Sequence, residues 1–186
     1  VSYDKEKYDF EKLLLKLYNI ELTQVHTILE KEQELFKDVG KDTQSDIHKI
    51  FYDKMRTGWP EFVDLYKQFI EEVVLPYLNL DEALYQTWPT FRVQLPNNLA
   101  VVIKHHDSDE LHRHPNGEIN FILANTEMHE TSTIWFESEP RCQDFKPMNL
   151  KKNTLFCFNG NKCDHFNKIN ITGKSRISFD FRILPI

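Results

Sequence analysis

The chain has 186 residues and a net charge of −6, and 40% of its residues are hydrophobic and 13% aromatic. This length suits one domain with a sizeable core, and the composition argues against disorder. No block of lysine and arginine is present, which argues against nucleic acid as the main partner. No apolar run is long enough to cross a bilayer, so we expect no membrane partner.

Cysteine usage indicates the compartment. Cys142, Cys157 and Cys163 are too few and too irregularly spaced for a disulfide framework. Reduced thiols are typical of a cytoplasm-like compartment, and we therefore expect a cytoplasmic protein.

The N-terminal half has the hydrophobic period of helices. Apolar residues recur every three or four positions from Leu13 to Tyr18 and from Leu22 to Leu29. A further helix is predicted from Asp46 to Met55. The next is predicted from Pro60 to Leu75, where Pro76 should end it.

From about Phe91 the pattern changes to short runs rich in β-branched and aromatic residues, separated by Asn, Pro and Gly. Strands are predicted at 99–103, 119–123, 133–136, 154–158 and 176–183. Their spacing suits an antiparallel sandwich or barrel. We expect a single α+β domain, 1–186, with a mainly helical buttress (1–86) packed outside a β core (87–186) that carries the site.

Two histidines and one aspartate have the order of a metal site. His105 and Asp107 are two apart at the end of the predicted strand 99–103, so their side chains can share a face, and His165 follows far downstream. Two imidazoles and a carboxylate are the facial triad that binds Fe(II) and leaves positions open. An alternative zinc site could use His112 and His114 with Glu118.

The last predicted strand alternates strictly. Arg176, Ser178, Asp180 and Arg182 share one face, and apolar residues occupy the other. A solvated edge strand has this pattern, but so does a strand whose polar face lines a barrel. In a barrel, Arg176 would need a carboxylate partner, which 2-oxoglutarate offers, and Ser178 could add a hydrogen bond. Asp180 and Arg182 are assigned structural roles.

Other polar residues near these positions are candidates for the substrate pocket or for contacts behind the ligands. A buried hydrogen-bonding role is the alternative for each of them. They are Arg92, Gln94, His112, His114, Glu118 and Asn120.

Four stretches together resemble the StrG-type proteins, which are similar to the Fe(II)/2-oxoglutarate-dependent oxygenase superfamily. They are His105–Asp109, Gly117–Phe121, Trp135–Glu139 and Ser175–Arg182, and the similarity covers about Phe91 to Pro185. The resemblance implies a double-stranded β-helix core of jelly-roll, cupin-like type. It also implies iron held by His105, Asp107 and His165, and 2-oxoglutarate held by Arg176, with Ser178 as a further contact.

The expected function is therefore an Fe(II)- and 2-oxoglutarate-dependent dioxygenase that uses O₂ and releases succinate and CO₂. Its substrate would be an unidentified small molecule or side chain. Related halogenases lack the carboxylate ligand, so Asp107 favours hydroxylation. The alternatives are a non-redox, zinc-binding cupin-like enzyme and a catalytically inactive barrel that acts as a binding module.

Overall fold

The computed structural model describes residues 1–32, 34–38 and 40–186, with the helices preceding the strands. The helical elements are α1 (Phe10–Tyr18), a 3₁₀ helix (Leu22–Ile28), α2 (Asp46–Thr57), α3 (Pro60–Phe69), a π-helical turn (Ile70–Val74) and α4 (Leu75–Leu78). Capping side chains begin the first two α-helices, since Asp9 accepts a bond from the amide of Lys12 and Ser45 from that of His48. No helix in the described part of the chain is long and apolar enough to cross a membrane.

Two helical predictions need correction. The apolar run after Leu22 forms a 3₁₀ helix, although its spacing equally suits an α-helix. The prediction that Pro76 ends the helix is wrong, because the chain stays helical to Leu78. The π-helical turn that precedes Pro76 widens the helix, which relieves the clash of the proline ring with the preceding turn.

In the described part of the chain, eight strands form two antiparallel sheets. The strands are β1 (Ala83–Tyr85), β2 (Thr90–Gln94), β3 (Ile119–Ala124), β4 (Ile134–Phe136), β5 (Lys146–Pro147), β6 (Thr154–Phe158), β7 (His165–Asn167) and β8 (Arg176–Pro185). The larger sheet has the order β1-β8-β3-β6, with β2 also paired to β8, and the smaller has the order β5-β4-β7. The predicted strands at 119–123, 133–136, 154–158 and 176–183 correspond to β3, β4, β6 and β8.

The predicted strand at 99–103 is wrong. This segment is irregular, and the pairing begins only at His105, which forms an isolated bridge with His165. The carbonyl of Ala100 accepts a bond from the Arg92 side chain instead of a strand neighbour. Within this segment Ala100 is buried, whereas Ile103 is 41% exposed.

The helices cover the outer face of the larger sheet. Ile177, Phe179, Phe181 and Ile183 of β8 share one core with the helical half. The ring of Phe179 contacts rings on α1, α2, α3 and β2. The α+β fold with helices outside the β unit is therefore confirmed.

The inner face of the larger sheet packs against the smaller sheet. Ile122 and Ala124 of β3 join Ile134 of β4 in a second cluster, which Phe156 and Phe158 border. The polar residues of β8 lie on this inner face, because β8 is paired on both sides and its apolar face contacts the helices. Arg176 is 1% exposed, so β8 is not an edge strand with a solvated polar face.

Candidate metal centre

Three side chains converge between the two sheets. The backbones of His105 and His165 exchange two hydrogen bonds, of 3.2 and 2.8 Å, which place the two imidazoles side by side. The amide of Asp107 is held by the carbonyl of Gly160 at 2.9 Å. As a result, the ligand atoms of His105, Asp107 and His165 all lie within 4.8 Å of one another. Within the described ranges, this is the one group found that could hold a metal ion.

Backbone carbonyls fix the orientation of both imidazoles. Nδ1 of His105 lies 2.8 Å from the carbonyl oxygen of Ile103, and Nδ1 of His165 lies 3.1 Å from that of Cys163. A carbonyl oxygen only accepts, so each Nδ1 carries the proton and each Nε2 keeps its lone pair. This arrangement is typical of metal-binding histidines.

The two carboxylate oxygens of Asp107 have different neighbours. Oδ1 lies 3.5 Å from Nε2 of His105 and 3.8 Å from Nε2 of His165. Oδ2 accepts bonds from Asn120 Nδ2 at 2.6 Å and from Arg182 Nε at 2.8 Å. Oδ1 is therefore the oxygen that faces the imidazoles.

The charge states suit a cation. Burial would raise the pKa of Asp107, but the charge of Arg182 and its hydrogen bond hold the pKa well below its usual range. Burial, together with the neighbouring His105, lowers the pKa of His165 to about 4. At neutral pH, Asp107 is therefore ionised and His165 is neutral, which are the forms that bind metals.

Arg176 is buried, and no carboxylate of the described residues forms an ion pair with it. Its Nη1 donates to Ser178 Oγ at 2.8 Å and its Nη2 to Gln94 Oε1 at 3.3 Å, while Nε has no hydrogen-bond partner within the described residues. Burial and the charge of Arg92 lower the pKa of Arg176 to about 10 against the opposing charge of Asp180, so the guanidinium still carries its charge at neutral pH. A buried cation whose hydrogen-bond partners are neutral is costly unless a carboxylate binds it directly.

Two cavities adjoin the triad. An inner cavity of about 30 Å³ lies among His105, Asp107, Asn120, His165 and Asp180. An outer cavity of about 360 Å³ shares part of its wall with the inner cavity. The shared residues are Arg92, Val101, His105, Asp107 and Arg182.

The predicted pocket residues have different positions. Arg92 lines both cavities, Asn120 lines the inner one, and His112 and His114 line the outer one. Gln94 is fully buried, and its side chain bonds Arg176 and backbone carbonyls such as that of Lys168, at 2.7 Å.

The alternative zinc ligands are not gathered into one site. Nδ1 of His112 bonds Asp109 at 2.8 Å, and its ring stacks on that of His105 with centroids 3.9 Å apart. Nδ1 of His114 bonds Glu118 at 3.0 Å. No metal-ligand group containing His112, His114 and Glu118 is found in 1–32, 34–38 and 40–186.

Three residues of the site were not predicted from the sequence. Asp180 and Arg182, assigned structural roles, both line the inner cavity. Their shared face with Arg176 on β8 is the signal that could have identified them. Asp42 comes from the helical half, lines the outer cavity and lies 3.7 Å from Arg92, and no local pattern marks it.

A buried carboxylate fixes the loop before His165. Glu137 accepts bonds from the amides of Arg141 and Gln143, both at 3.0 Å, and of Asp164 at 2.8 Å. Burial would raise the pKa of Glu137, but these three amides outweigh it and hold the pKa below its ordinary value. Glu137 therefore holds the amide of Asp164, the residue before His165.

We expect Glu137→Gln to lower the free energy of unfolding by about 1–3 kcal/mol at pH 7, because its NH₂ group cannot accept the bonds lost. Since the folded-state pKa is lowered, this stabilisation is complete above the ordinary glutamate pKa and is lost as the pH falls. Urea unfolding at pH 7 and at acidic pH measures the effect, with the exposed Glu139→Gln as control. If the difference in free energy of unfolding between the wild type and Glu137→Gln is as large at acidic pH as at pH 7, Glu137 does not stabilise the loop through its charge.

Known proteins resemble this chain in sequence and in fold. No protein-family model matches the chain. The streptomycin biosynthesis protein StrG of Streptomyces griseus is 31% identical over 144 residues, which are 77% of this chain and 65% of StrG. The chain thus spans a little under two thirds of that relative's length.

Among solved structures, the nickel complex of the non-heme monooxygenase ThoJ superposes with a TM-score of 0.54 at 10% identity, covering 98% of this chain and 70% of ThoJ. HygX of Streptomyces hygroscopicus was solved with nickel and 2-oxoglutarate bound. Its match to this chain covers 98% of this chain and 79% of HygX at 7% identity. Its TM-score of 0.39 is too low to bear on the fold. The chain is similar in sequence to StrG, and its α+β fold is similar to that of ThoJ.

Proposed function

We propose that this chain is an Fe(II)- and 2-oxoglutarate-dependent oxygenase that hydroxylates a small molecule. The observation that carries the proposal is the buried Arg176 guanidinium, which has no carboxylate partner among the described residues. It lies on the same inner face as Arg182, which contacts Asp107 of the triad. A cation of this kind requires an anion, and a dicarboxylate that also reaches the metal supplies one.

The donor set fits iron. His105, Asp107 and His165 would hold Fe(II) through two imidazole nitrogens and one carboxylate oxygen, which leaves about half of the coordination sphere open. With 2-oxoglutarate and O₂, bound iron supplies the oxidising power for hydroxylation, and the co-substrate leaves as succinate and CO₂. The protein holds the imidazoles in the metal-binding tautomer through the carbonyls of Ile103 and Cys163.

Contacts between residues connect the anion anchor to the metal centre. Ser178 Oγ accepts a bond from Arg176 at 2.8 Å and lies 3.4 Å from Asp180, which lines the inner cavity with His165. That cavity of about 30 Å³ has room for roughly one water molecule. Side chains around it must therefore move when the co-substrate binds. The long 3.3 Å contact between Arg176 and Gln94 is the bond that an entering carboxylate would replace.

The substrate would bind in the outer cavity. Its volume of about 360 Å³ lies in the usual range for small-molecule sites, and it reaches His105 and Asp107 directly. Charged and hydrogen-bonding groups line much of it, including Asp42, Arg92 and His114. Asp107 would be a carboxylate ligand, a ligand that the related halogenases lack, which favours hydroxylation over halogenation.

Titration of the nickel-loaded protein with 2-oxoglutarate tests the proposal, because Ni(II) replaces Fe(II) as a ligand centre without turning over. We expect calorimetric binding of 2-oxoglutarate that requires the metal and disappears in the metal-free protein. Metal binding without any binding of 2-oxoglutarate would favour a non-redox zinc enzyme. Failure to bind a metal at all would favour a binding module.

A further inference from the structure

We propose that Arg182 and Asn120 are positioning residues that keep Asp107 a single-oxygen metal ligand. The proposal rests on the metal centre of the proposed function. Both side chains donate to Oδ2 of Asp107, at 2.8 and 2.6 Å, while Oδ1 faces the two imidazoles. An oxygen that accepts two strong bonds on one side has little capacity left for a metal on the other.

The framework around these donors is rigid. Asn120 on β3 and Arg182 on β8 are direct cross-strand partners, and both strands are paired on each side within the larger sheet. Asn120 is 5% exposed, and the Arg182 side chain is 13% exposed. The two donors therefore approach the same carboxylate oxygen from neighbouring positions that the sheet holds in register.

Charge supports the assignment of Arg182. Its Nε is 2.8 Å from Asp107 and 3.7 Å from Glu118, so the guanidinium faces two carboxylates, and the nearer one is the candidate ligand. A guanidinium bond to a buried carboxylate is charge-assisted and is stronger than a bond from a neutral donor. Arg182 therefore does more than fill space between the two sheets.

The number of oxygens through which Asp107 binds would determine how many positions stay open on the metal. With one oxygen from Asp107, an octahedral metal keeps three positions, two for a chelating 2-oxo acid and one for O₂. If Oδ2 also bound, only two would remain, and a chelating co-substrate would leave no place for O₂. Arg182 and Asn120 thereby determine whether co-substrate and O₂ can bind together.

The test counts the water molecules on bound Mn(II) by water-proton relaxation. Arg182→Met removes the donor at similar length, and Arg182→Lys keeps the charge and a donor. Arg56→Met is the matched control, because Arg56 makes an exposed ion pair with Asp53. We expect the relaxivity of Mn(II)-loaded Arg182→Met to fall to about two thirds of the wild-type value. We expect Arg182→Lys to recover most of it and Arg56→Met to be unchanged.

An unchanged relaxivity in Arg182→Met, with Mn(II) bound, would overturn the proposal and leave the metal centre intact. Failure of the wild-type chain to bind Mn(II) would remove the metal centre itself, so the two failures are distinguishable. If Arg182→Met does not fold, as circular dichroism will show, Asn120→Leu takes its place. The same fall in relaxivity is expected, and its absence would overturn the proposal.

Discussion

Asp107→Ala should lower metal affinity by at least about 100-fold and abolish turnover, because it removes the one carboxylate of the triad. Two neutral imidazoles then remain, with nothing to balance the charge of the cation. The change also leaves the Asn120 amide and the Arg182 guanidinium without the carboxylate that they share. Calorimetric titration with Ni(II) measures the loss of affinity.

His106→Ala is the matched control for this experiment. His106 is adjacent to Asp107 in the chain, but its ring bonds Asp164 at 2.9 Å and does not belong to the triad. We expect near wild-type metal affinity in this variant. Equal affinities in Asp107→Ala and the wild type would remove Asp107 from the set of metal ligands.

Arg176→Met should remove the preference for 2-oxoglutarate over 2-oxobutyrate, an analogue that lacks the distal carboxylate. In the wild type we expect 2-oxoglutarate to bind the nickel-loaded protein about 100- to 1000-fold more tightly, the size of effect expected for a buried charge pair. In Arg176→Met the two acids should bind with similar, weak affinity. Binding of both acids by calorimetry provides the comparison.

The free energy of unfolding of Arg176→Met distinguishes a role of Arg176 in binding 2-oxoglutarate from a structural role. Arg176 is buried with only neutral partners, so its replacement by a similarly long apolar side chain should leave the free energy of unfolding unchanged or raise it. A structural arginine would show the opposite, a loss of stability with unchanged selectivity between the two acids. That result would exclude Arg176 as the carboxylate anchor.

The sequence predicts the strands well where their pattern is long. The alternation over β8 indicates both of its faces, because a strand paired on two sides must present one face to each layer. It does not show which layer is polar, since a solvated face and a barrel interior have the same pattern. Burial of Arg176 between the sheets becomes visible only in the fold.

The triad is predictable from residue types and order, but the local structure around it is not. His105 and Asp107 do not end a strand, and it is the bridge between His105 and His165 that brings the ligands together. Arg182 and Asp42 contact site residues far away in the chain, and local spacing carries no signal for such contacts. The helix through Pro76 likewise depends on a π-helical turn that residue spacing does not indicate.

An anaerobic titration of the protein with Fe(II) and then with 2-oxoglutarate, followed by visible absorption, tests the proposed oxygenase function. We expect a metal-to-ligand charge-transfer band that is present in the wild type, absent in Asp107→Ala and weakened in Arg176→Met. If the wild-type protein binds Fe(II) but shows no band at saturating 2-oxoglutarate, the co-substrate does not chelate the metal and the proposed oxygenase function is wrong.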